Sequence, residues 1–525
     1  MKIDPIPSRA CLAIIAIGVV SLGLFYLAAG MQRVLAVIPD DAAYYFKTAE
    51  NVVGGGGLTF DGIDRTNGFQ PLWLYALVAV YTMRHGTPEW MCRLCLVLQL
   101  LLLGGAAVLL AAVQGRFFSR HAVLASCLLF VFFVLVPAAN GMESAVLVFF
   151  LVLLLYVGWK EDVFTRAGIG RQFVFGILLG LVMLARLDMV FLAIAIGGWC
   201  LAGVLAERGR RREAIVRLLS ISAGAVVVVA PYCAYNYASF GHIAPISVAL
   251  KSSFPEITVS GYTLSKLTRR AWIGLLLAGA YLVWFVRMRY GAGARRATYY
   301  EGAMAAMACT VVLHFVHALL FLKWAVFSWH FIPYALFGST VVCAPVDRLR
   351  SAVRGPLREL LYWSALTLIV LLGAAAAWSG FAQPLDRNWR PVAYEAALWA
   401  RRATDRDAVF AMKDAGNFGY FSERRVINLD GVMNDLEYQA ALRDKRLAEY
   451  LRARHVRFIV QHAFWRRPDI LSGDYDTYVM NYPSRLYESR GDSIVLRRED
   501  EAYRSPPYFD GPYRTVFLVW RWRGE

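Results

Sequence analysis

The sequence predicts a polytopic α-helical membrane protein with about 11 transmembrane helices and a C-terminal mixed α/β domain outside the bilayer. Three observations predict it. The 525 residues are 58% hydrophobic and only 18% charged, with a mean hydropathy of +0.47, whereas soluble domains are about half apolar and about a quarter charged. The apolar residues fall in long blocks, which soluble cores do not need and disordered chains lack. The net charge of +17 concentrates in short loops between those blocks.

The first block, Cys11–Gly30, follows Lys2 and Arg9 and is 20 residues long. That length spans a bilayer and exceeds a signal-peptide core, so a retained anchor is favoured, with cleavage at Leu27-Ala28-Ala29-Gly30 the alternative. Further apolar segments run at Pro71–Met83, Met91–Val113, Ala122–Pro137, Ser144–Trp159, Phe173–Ala185 and Met189–Ala206. The series continues with Leu218–Ala234, Trp272–Val286, Gly302–Leu322, Trp324–Val342 and Leu360–Trp378. The loops Gly115–Arg120, Lys160–Arg171, Glu207–Arg217, Arg287–Arg296 and Asp347–Glu359 hold 18 Lys/Arg against 6 Asp/Glu. Short basic loops resist translocation, so these face the cytoplasm. Twelve crossings cannot satisfy both those loops and the N-terminal anchor. Pro71–Met83, at 13 residues, is the segment that does not cross, and reads as re-entrant or interfacial. Eleven crossings place residues 32–70 and 235–271, Ala138–Glu143, Arg186–Asp188 and the tail on the outer face of the cytoplasmic (inner) membrane.

The sequence predicts a membrane domain, 1–380, and an extracytoplasmic domain, 381–525. The tail carries 24 basic and 21 acidic residues. Its pattern predicts strands at Ala408–Met412, Arg425–Leu429 and Arg457–Gln461 and a helix near Glu437–Ala453; strand-like runs recur at Ser493–Arg497 and Thr515–Trp520. All eight cysteines lie within or beside apolar spans, so no disulfide holds the tail. The Cys92-x-x-Cys95 pair reads as buried small hydrophobes, since no second pair accompanies it. Nucleic acid is not an expected partner, because the basic residues do not gather on one face of a soluble domain.

The residues able to do chemistry cluster in the outer stretches. Asp40 and Asp41 directly follow the anchor, where a carboxylate could deprotonate an acceptor hydroxyl at the level of a lipid head group; equally, Pro39-Asp40 before a helix is ordinary capping. Four glycines, Gly54–Gly57, form a mobile loop without the Lys-Ser/Thr ending of a phosphate loop. Glu143 is an acid at the membrane edge or a helix cap. Arg186-Leu187-Asp188 is a salt-bridged turn or a phosphate site. Lys251, with Lys266, Arg269 and Arg270, makes one outer loop basic, which suits a lipid phosphate. His330 faces the same cavity or anchors the interface. His314 and His317 lie inside an apolar span and give metal binding little support.

Taken together these residues resemble the GT-C superfamily of polyprenyl-phosphate-sugar-dependent glycosyltransferases. Pro39-Asp40-Asp41 with Tyr44 and Tyr45 is similar to the pattern of protein O-mannosyltransferases and lipid A aminoarabinose transferases. The run Thr66-Asn67-Gly68-Phe69-Gln70-Pro71-Leu72-Trp73 is similar to bacterial members and to actinobacterial arabinofuranosyltransferases. Asn140–Glu143, Arg186–Asp188 and Phe240-Gly241-His242 with Lys251 follow in the expected order. Asp414–Tyr420 and Asn428–Gly431 look like the outer domain of some members. Two departures stand out: Asp41 replaces a usual Glu, and Gln70 replaces a Lys before Pro.

The resemblance implies a GT-C-like fold and an inverting transfer of a sugar from a polyprenyl-phosphate donor to a hydroxyl of a cell-envelope glycan, lipid or protein. It implies Asp40 as base, Asp41 as its support and Glu143 orienting the acceptor. Lys251 and Arg186 would hold the phosphate, with His330 as a further contact, and Tyr44, Tyr45, Asn67 and Gln70 would line the substrate site. No cofactor is certain, and a divalent metal stays open, because an acidic pair serves either as base or as ligand. The rival function is a lipid or glycolipid transporter or flippase, which predicts inverted hydropathy repeats; none is evident. Asp414 and Asp430 are left outside the site, since glycine turns between strands explain them as well.

Overall fold

The computed structural model describes residues 7–206, 211–259, 264–265, 267–291, 295, 297–464, 466–487 and 489–524. Lys2, Lys266 and parts of two basic loops lie outside the described residues. Among those described, nine helices are long and apolar enough to cross a membrane, from Arg9–Ala28 to Pro356–Phe381. Three more apolar helices are shorter: Pro71–Met83, with 13 residues, and Ser144–Lys160 and Ile169–Ala185, with 17 each. At 1.5 Å per residue the first is about 20 Å long, well short of the roughly 30 Å hydrocarbon core. A total of eleven crossings would need both 17-residue helices to span the bilayer.

Pro88–Gln114, 27 residues long, packs with Arg9–Ala28 and Ser144–Lys160 against its sides. Small residues set the closest packing, as expected where lipid leaves no hydrophobic drive between helices. A Cβ on Gly176 would lie 2.2 Å from the Ile221 carbonyl oxygen, and one on Gly224 would lie 2.2 Å from that of Phe173. Glycines at these positions let Ile169–Ala185 and Arg211–Phe240 meet backbone to backbone. One span departs from the sequence expectation. Trp324–Phe327 is not helical; the span begins at Ser328 and runs on to Ala352. Hydropathy alone cannot see the stacked aromatic turn of Phe327 and Trp329, whose rings lie 4.6 Å apart.

After Phe381 the chain folds as an α/β region. Its strands are β1 (Val409–Met412), β2 (Arg425–Asn428), β3 (Val456–Gln461), β4 (Thr477–Ser484), β5 (Ser489–Arg497), β6 (Glu501–Arg504), β7 (Tyr508–Asp510), β8 (Tyr513–Thr515) and β9 (Leu518–Arg521). Five form one sheet in the order β2-β1-β3-β9-β6, while β4–β5 and β7–β8 are separate hairpins. β1 pairs in parallel with β2 and β3, and β9 closes antiparallel on β3. All four residues of β1 are buried, as the near-continuous apolar run of a covered parallel strand requires. The single helix expected near Glu437–Ala453 is two, Leu436–Arg443 and Leu447–Ala453. Between them Lys445 takes a positive φ of 54°, which ends the first helix. The expected run Thr515–Trp520 is likewise split between the end of β8 and β9.

Sheet topology positions the site. β1 is followed by Gly416–Phe421 and then β2 on one side, while β3 lies on the other. The carboxyl ends of β1, β2 and β3 therefore flank a point where strand order reverses, the usual ligand crevice of an open α/β sheet. The first loop of the membrane region packs onto that end.

Candidate active site

Asp40 and Asp41 open the helix Asp41–Val53, yet the Asp40 carboxylate does not cap it. Oδ2 accepts from the Gly416 N–H at 2.7 Å and Oδ1 from the Asn417 N–H at 2.7 Å. Asp40 thus caps the helix that follows β1, and joins the first loop to the α/β region. Burial, with Asp41 and Asp414 nearby, pushes its pKa well above the ordinary range against the pull of those two N–H groups. Tyr44, one turn on, makes the second tie. Its hydroxyl donates to Asp430 at 3.3 Å and accepts from the Ala415 N–H at 3.0 Å and from Asn428 Nδ2 at 2.9 Å.

Asp41 is different. It is half-buried, and among the described residues its carboxylate makes no hydrogen bond or ion pair. Burial raises its pKa to about 6; Lys251 opposes the rise, while Asp430, Asp414 and Glu143 add to it. Three of the strands supply the neighbours: Asp414 follows β1, Asp430 follows β2, and His462 follows β3. His462 Nε2 lies 3.4 Å from Asp414 Oδ2, and its ring stacks on Trp389 at 4.3 Å. The Asp414 carboxyl is held low, chiefly by His462, against burial. Asp414 also sits at φ +53°, a strained position for a non-glycine residue and one common at functional sites.

A second network stands behind the first. The Tyr45 hydroxyl donates to Glu143 Oε2 at 3.0 Å and accepts the Gln70 N–H at 3.1 Å. Arg186, 2% exposed, reaches Glu143 at 3.8 Å, Asp188 more closely, and the Trp329 carbonyl at 2.9 Å. His314 completes the chain, with Nε2 3.2 Å from Asp188 and Nδ1 2.8 Å from the Tyr334 hydroxyl. Of the two readings of Arg186–Asp188, the salt-bridged turn is the one built here. Tyr45→Phe would strand the part-buried Gln70 N–H and weaken the hold on Glu143. We expect it to cost about 1–3 kcal/mol, measured by thermal unfolding in detergent.

Other candidates from the sequence are engaged in joining loops. Asn67 donates to Asn236 at 3.3 Å and accepts the Ile246 N–H at 2.9 Å. The Gln70 amide oxygen accepts the Leu187 N–H at 3.1 Å. His330 stacks on Trp329 and turns Nδ1 to Phe327. Lys251 keeps a free head: among the described residues its ammonium has no ion pair and lies 5.8 Å from the Trp324 ring. Arg485, from the turn between β4 and β5, sits 3.8 Å from the same ring. Among the described residues no three His, Cys, Asp or Glu side chains gather at metal-ligand spacing.

Two solved structures share this architecture. Archaeal oligosaccharyltransferase AglB from Archaeoglobus fulgidus, in complex with an inhibitory peptide and a dolichol-phosphate, superposes with a TM-score of 0.54 at 12% identity, over 86% of this chain and 69% of that one. ArnT from Cupriavidus metallidurans, bound to undecaprenyl phosphate, gives 0.55 at 12% identity, over 91% of this chain and 97% of that one. The chain has the GT-C fold. Residues 385–506 match a family model described as a domain of unknown function, DUF8728. No curated protein matches the chain in sequence.

Proposed function

We propose that this chain is a membrane glycosyltransferase that moves a sugar from a polyprenyl-phosphate carrier to an acceptor hydroxyl at the outer face, with inversion. The observation that carries this reading is Asp41: an uncommitted carboxylate with a pKa of about 6, beside an uncommitted ammonium, on a fold whose solved relatives hold dolichol-phosphate and undecaprenyl phosphate. A base poised near neutral pH is what deprotonation of a hydroxyl needs. The placement of the site opposite the basic loops supports the outer side.

In this mechanism Asp41 takes the acceptor proton as the acceptor oxygen bonds to the sugar C1. The C1–oxygen bond to phosphate breaks on the opposite side, and the carrier phosphate leaves with the electron pair. Lys251 stabilises that growing charge, since a preorganised cation acts most strongly where charge develops. Glu143, held by Tyr45 and Arg186, orients the acceptor from behind, with Asp430 and Asp414 as further polar contacts. Asp40, the base expected from the sequence, is instead a positioning residue here, because both its oxygens serve the α/β region.

The test is transfer of radiolabelled sugar from the polyprenyl-phosphate pool into any product, in membranes holding the full chain. Label incorporation that vanishes in Asp41→Asn, with undecaprenyl phosphate binding retained, is the expected result. Incorporation by that variant at the wild-type rate would overturn the proposal.

A further inference from the structure

The stretch 235–271 joins two membrane-spanning helices, and its segment Ser253–Val259 is built with the apolar groups outward. Phe254, Ile257 and Val259 are 69%, 67% and 54% exposed, while the polar groups turn inward. Every N–H from Ser252 to Glu256 has a partner. Ser252 donates to the Val248 carbonyl at 2.9 Å and Ser253 to the Phe321 carbonyl at 2.8 Å. Phe254 donates to Ser252 Oγ at 3.2 Å and Glu256 to the Ser253 carbonyl at 2.8 Å. Pro255 has no N–H to satisfy. Ser253 Oγ lies 2.6 Å from Thr258 Oγ1 and 3.1 Å from the Phe321 carbonyl. A loop in water leaves polar groups to the solvent, and a patch of large apolar side chains on it marks a contact surface. In hydrocarbon the backbone must be satisfied from within the protein.

Main-chain bonds fix the depth of the segment. The Ser253 and Thr258 N–H groups donate, each at 2.8 Å, to the carbonyls of Phe321 and Leu320. Those carbonyls end Tyr299–Phe321, 23 residues long and apolar enough to cross a membrane, and a helix end leaves such carbonyls without a helical donor. The Phe254 ring meets Phe321 edge-on, with 5.2 Å between centroids. The exposed apolar side chains therefore stand where this span leaves the bilayer. Glu256 is exposed beside them. A carboxylate is costly in hydrocarbon, which sets the segment at the head-group boundary and no deeper.

We infer that Ser253–Val259 is a membrane-docking element whose partner is the lipid of the adjacent leaflet, with Phe254, Ile257 and Val259 seated among the first methylenes of the acyl chains. Removing such side chains from water is what holds the segment there. Lys251, two residues before Ser253, accepts the Lys323 N–H at its carbonyl at 3.0 Å, and is thereby kept at head-group depth. A second copy of this chain is the rival occupant. Lipid is favoured because the turn that carries the segment belongs to a span, which lies in the bilayer whether or not copies associate.

The test uses the full chain in phosphatidylethanolamine–phosphatidylglycerol vesicles, with a nitroxide label on Ile257→Cys or on Val479→Cys, an exposed position on β4. The wild-type chain, labelled in parallel, is the blank for its own cysteines. Collision with a water-soluble nickel chelate is expected to be about tenfold rarer at Ile257→Cys than at Val479→Cys, and collision with oxygen, which concentrates in lipid, more frequent. Should Ile257→Cys fail to give a monodisperse peak, Val259→Cys decides with the same expectation. Equal access of the chelate to both positions would overturn the inference. So would low access of both reagents, which means a cover of protein, or protection that disappears at one chain per vesicle, which means a second copy. Sugar transfer is not a readout, so failure here leaves the proposed catalysis untouched.

Discussion

Replacing Asp41 with Asn should abolish sugar transfer while making the protein more stable. A general base contributes about 10²–10⁴-fold, and the variant should lose at least that much from kcat. The gain in stability follows from the same carboxylate. Burial raises its pKa from 3.8 to about 6, so the folded state holds the proton more tightly than the unfolded chain. The ionised form is therefore a liability, absent below about pH 4 and fully incurred above about pH 6. At neutral pH a shift of about two units corresponds to roughly 3 kcal/mol, which Asn, carrying no charge, escapes. Thermal unfolding at pH 5 and pH 7.5 checks this: the variant's advantage should grow with pH. Wild-type kcat should fall tenfold per pH unit below about 6, where Asp41 takes up its proton. A purely structural Asp41 would show the opposite pattern, with activity and stability lost together and no break in the pH profile.

The sequence made the bundle readable because hydrocarbon imposes a one-dimensional rule: about 20 apolar residues, then a charged loop. Arg9–Ala28, Pro88–Gln114 and Pro356–Phe381 obey it. Where the rule was broken by side-chain stacking, at Trp324–Phe327, the reading failed. In the α/β region the strands β1, β2 and β3 were legible from short apolar runs, and the helix break at Lys445 was not, because a non-glycine residue at positive φ leaves no composition signal. The site was half legible. The acidic pair stood out by its position after the anchor, but which member was free depended on a contact almost four hundred residues away, between Asp40 and Gly416–Asn417. Asp414 and Asp430 were visible as short motifs with nearby glycines. Only the parallel pairing of β1 with β2 and β3 brings them, with His462, to one edge. Asn67 and Gln70 entered as substrate contacts through the resemblance of the Thr66–Trp73 run, and Arg186 as one of two readings of a turn between apolar spans. Such positions equally need polar groups to join loops over the bundle, and each of the three has such a partner.

The dependence of the site on that distant contact leads to the second large effect, at Gly416. Its Cβ, if present, would lie 2.1 Å from the Asp40 carbonyl oxygen and 2.7 Å from Asp40 Oδ2. Neither atom can retreat cheaply: the first is backbone, and the second is held by the Gly416 N–H, on a carboxylate whose other oxygen is held by the Asn417 N–H. Gly416→Ala must therefore part the first loop from the α/β region. Two charge-assisted hydrogen bonds at about 1.5–3 kcal/mol each are at stake, and the Tyr44 bonds to Asp430, Ala415 and Asn428 lie within one helical turn of them. We expect Gly416→Ala to lower stability by roughly 3–5 kcal/mol, read as a lower Tm and as new protease cleavage between 381 and 430. Transfer should fall with it, because Asp41 loses the Asp414 and Asp430 neighbours that help to raise its pKa. Asp40→Asn offers the graded comparison. The amide keeps one acceptor oxygen but turns an NH2 group towards a backbone N–H, so it should weaken the join by about 1–3 kcal/mol and reduce transfer without abolishing it. If Asp40→Asn were instead as inactive as Asp41→Asn at unchanged Tm, Asp40 would be the base, and Asp41 its support.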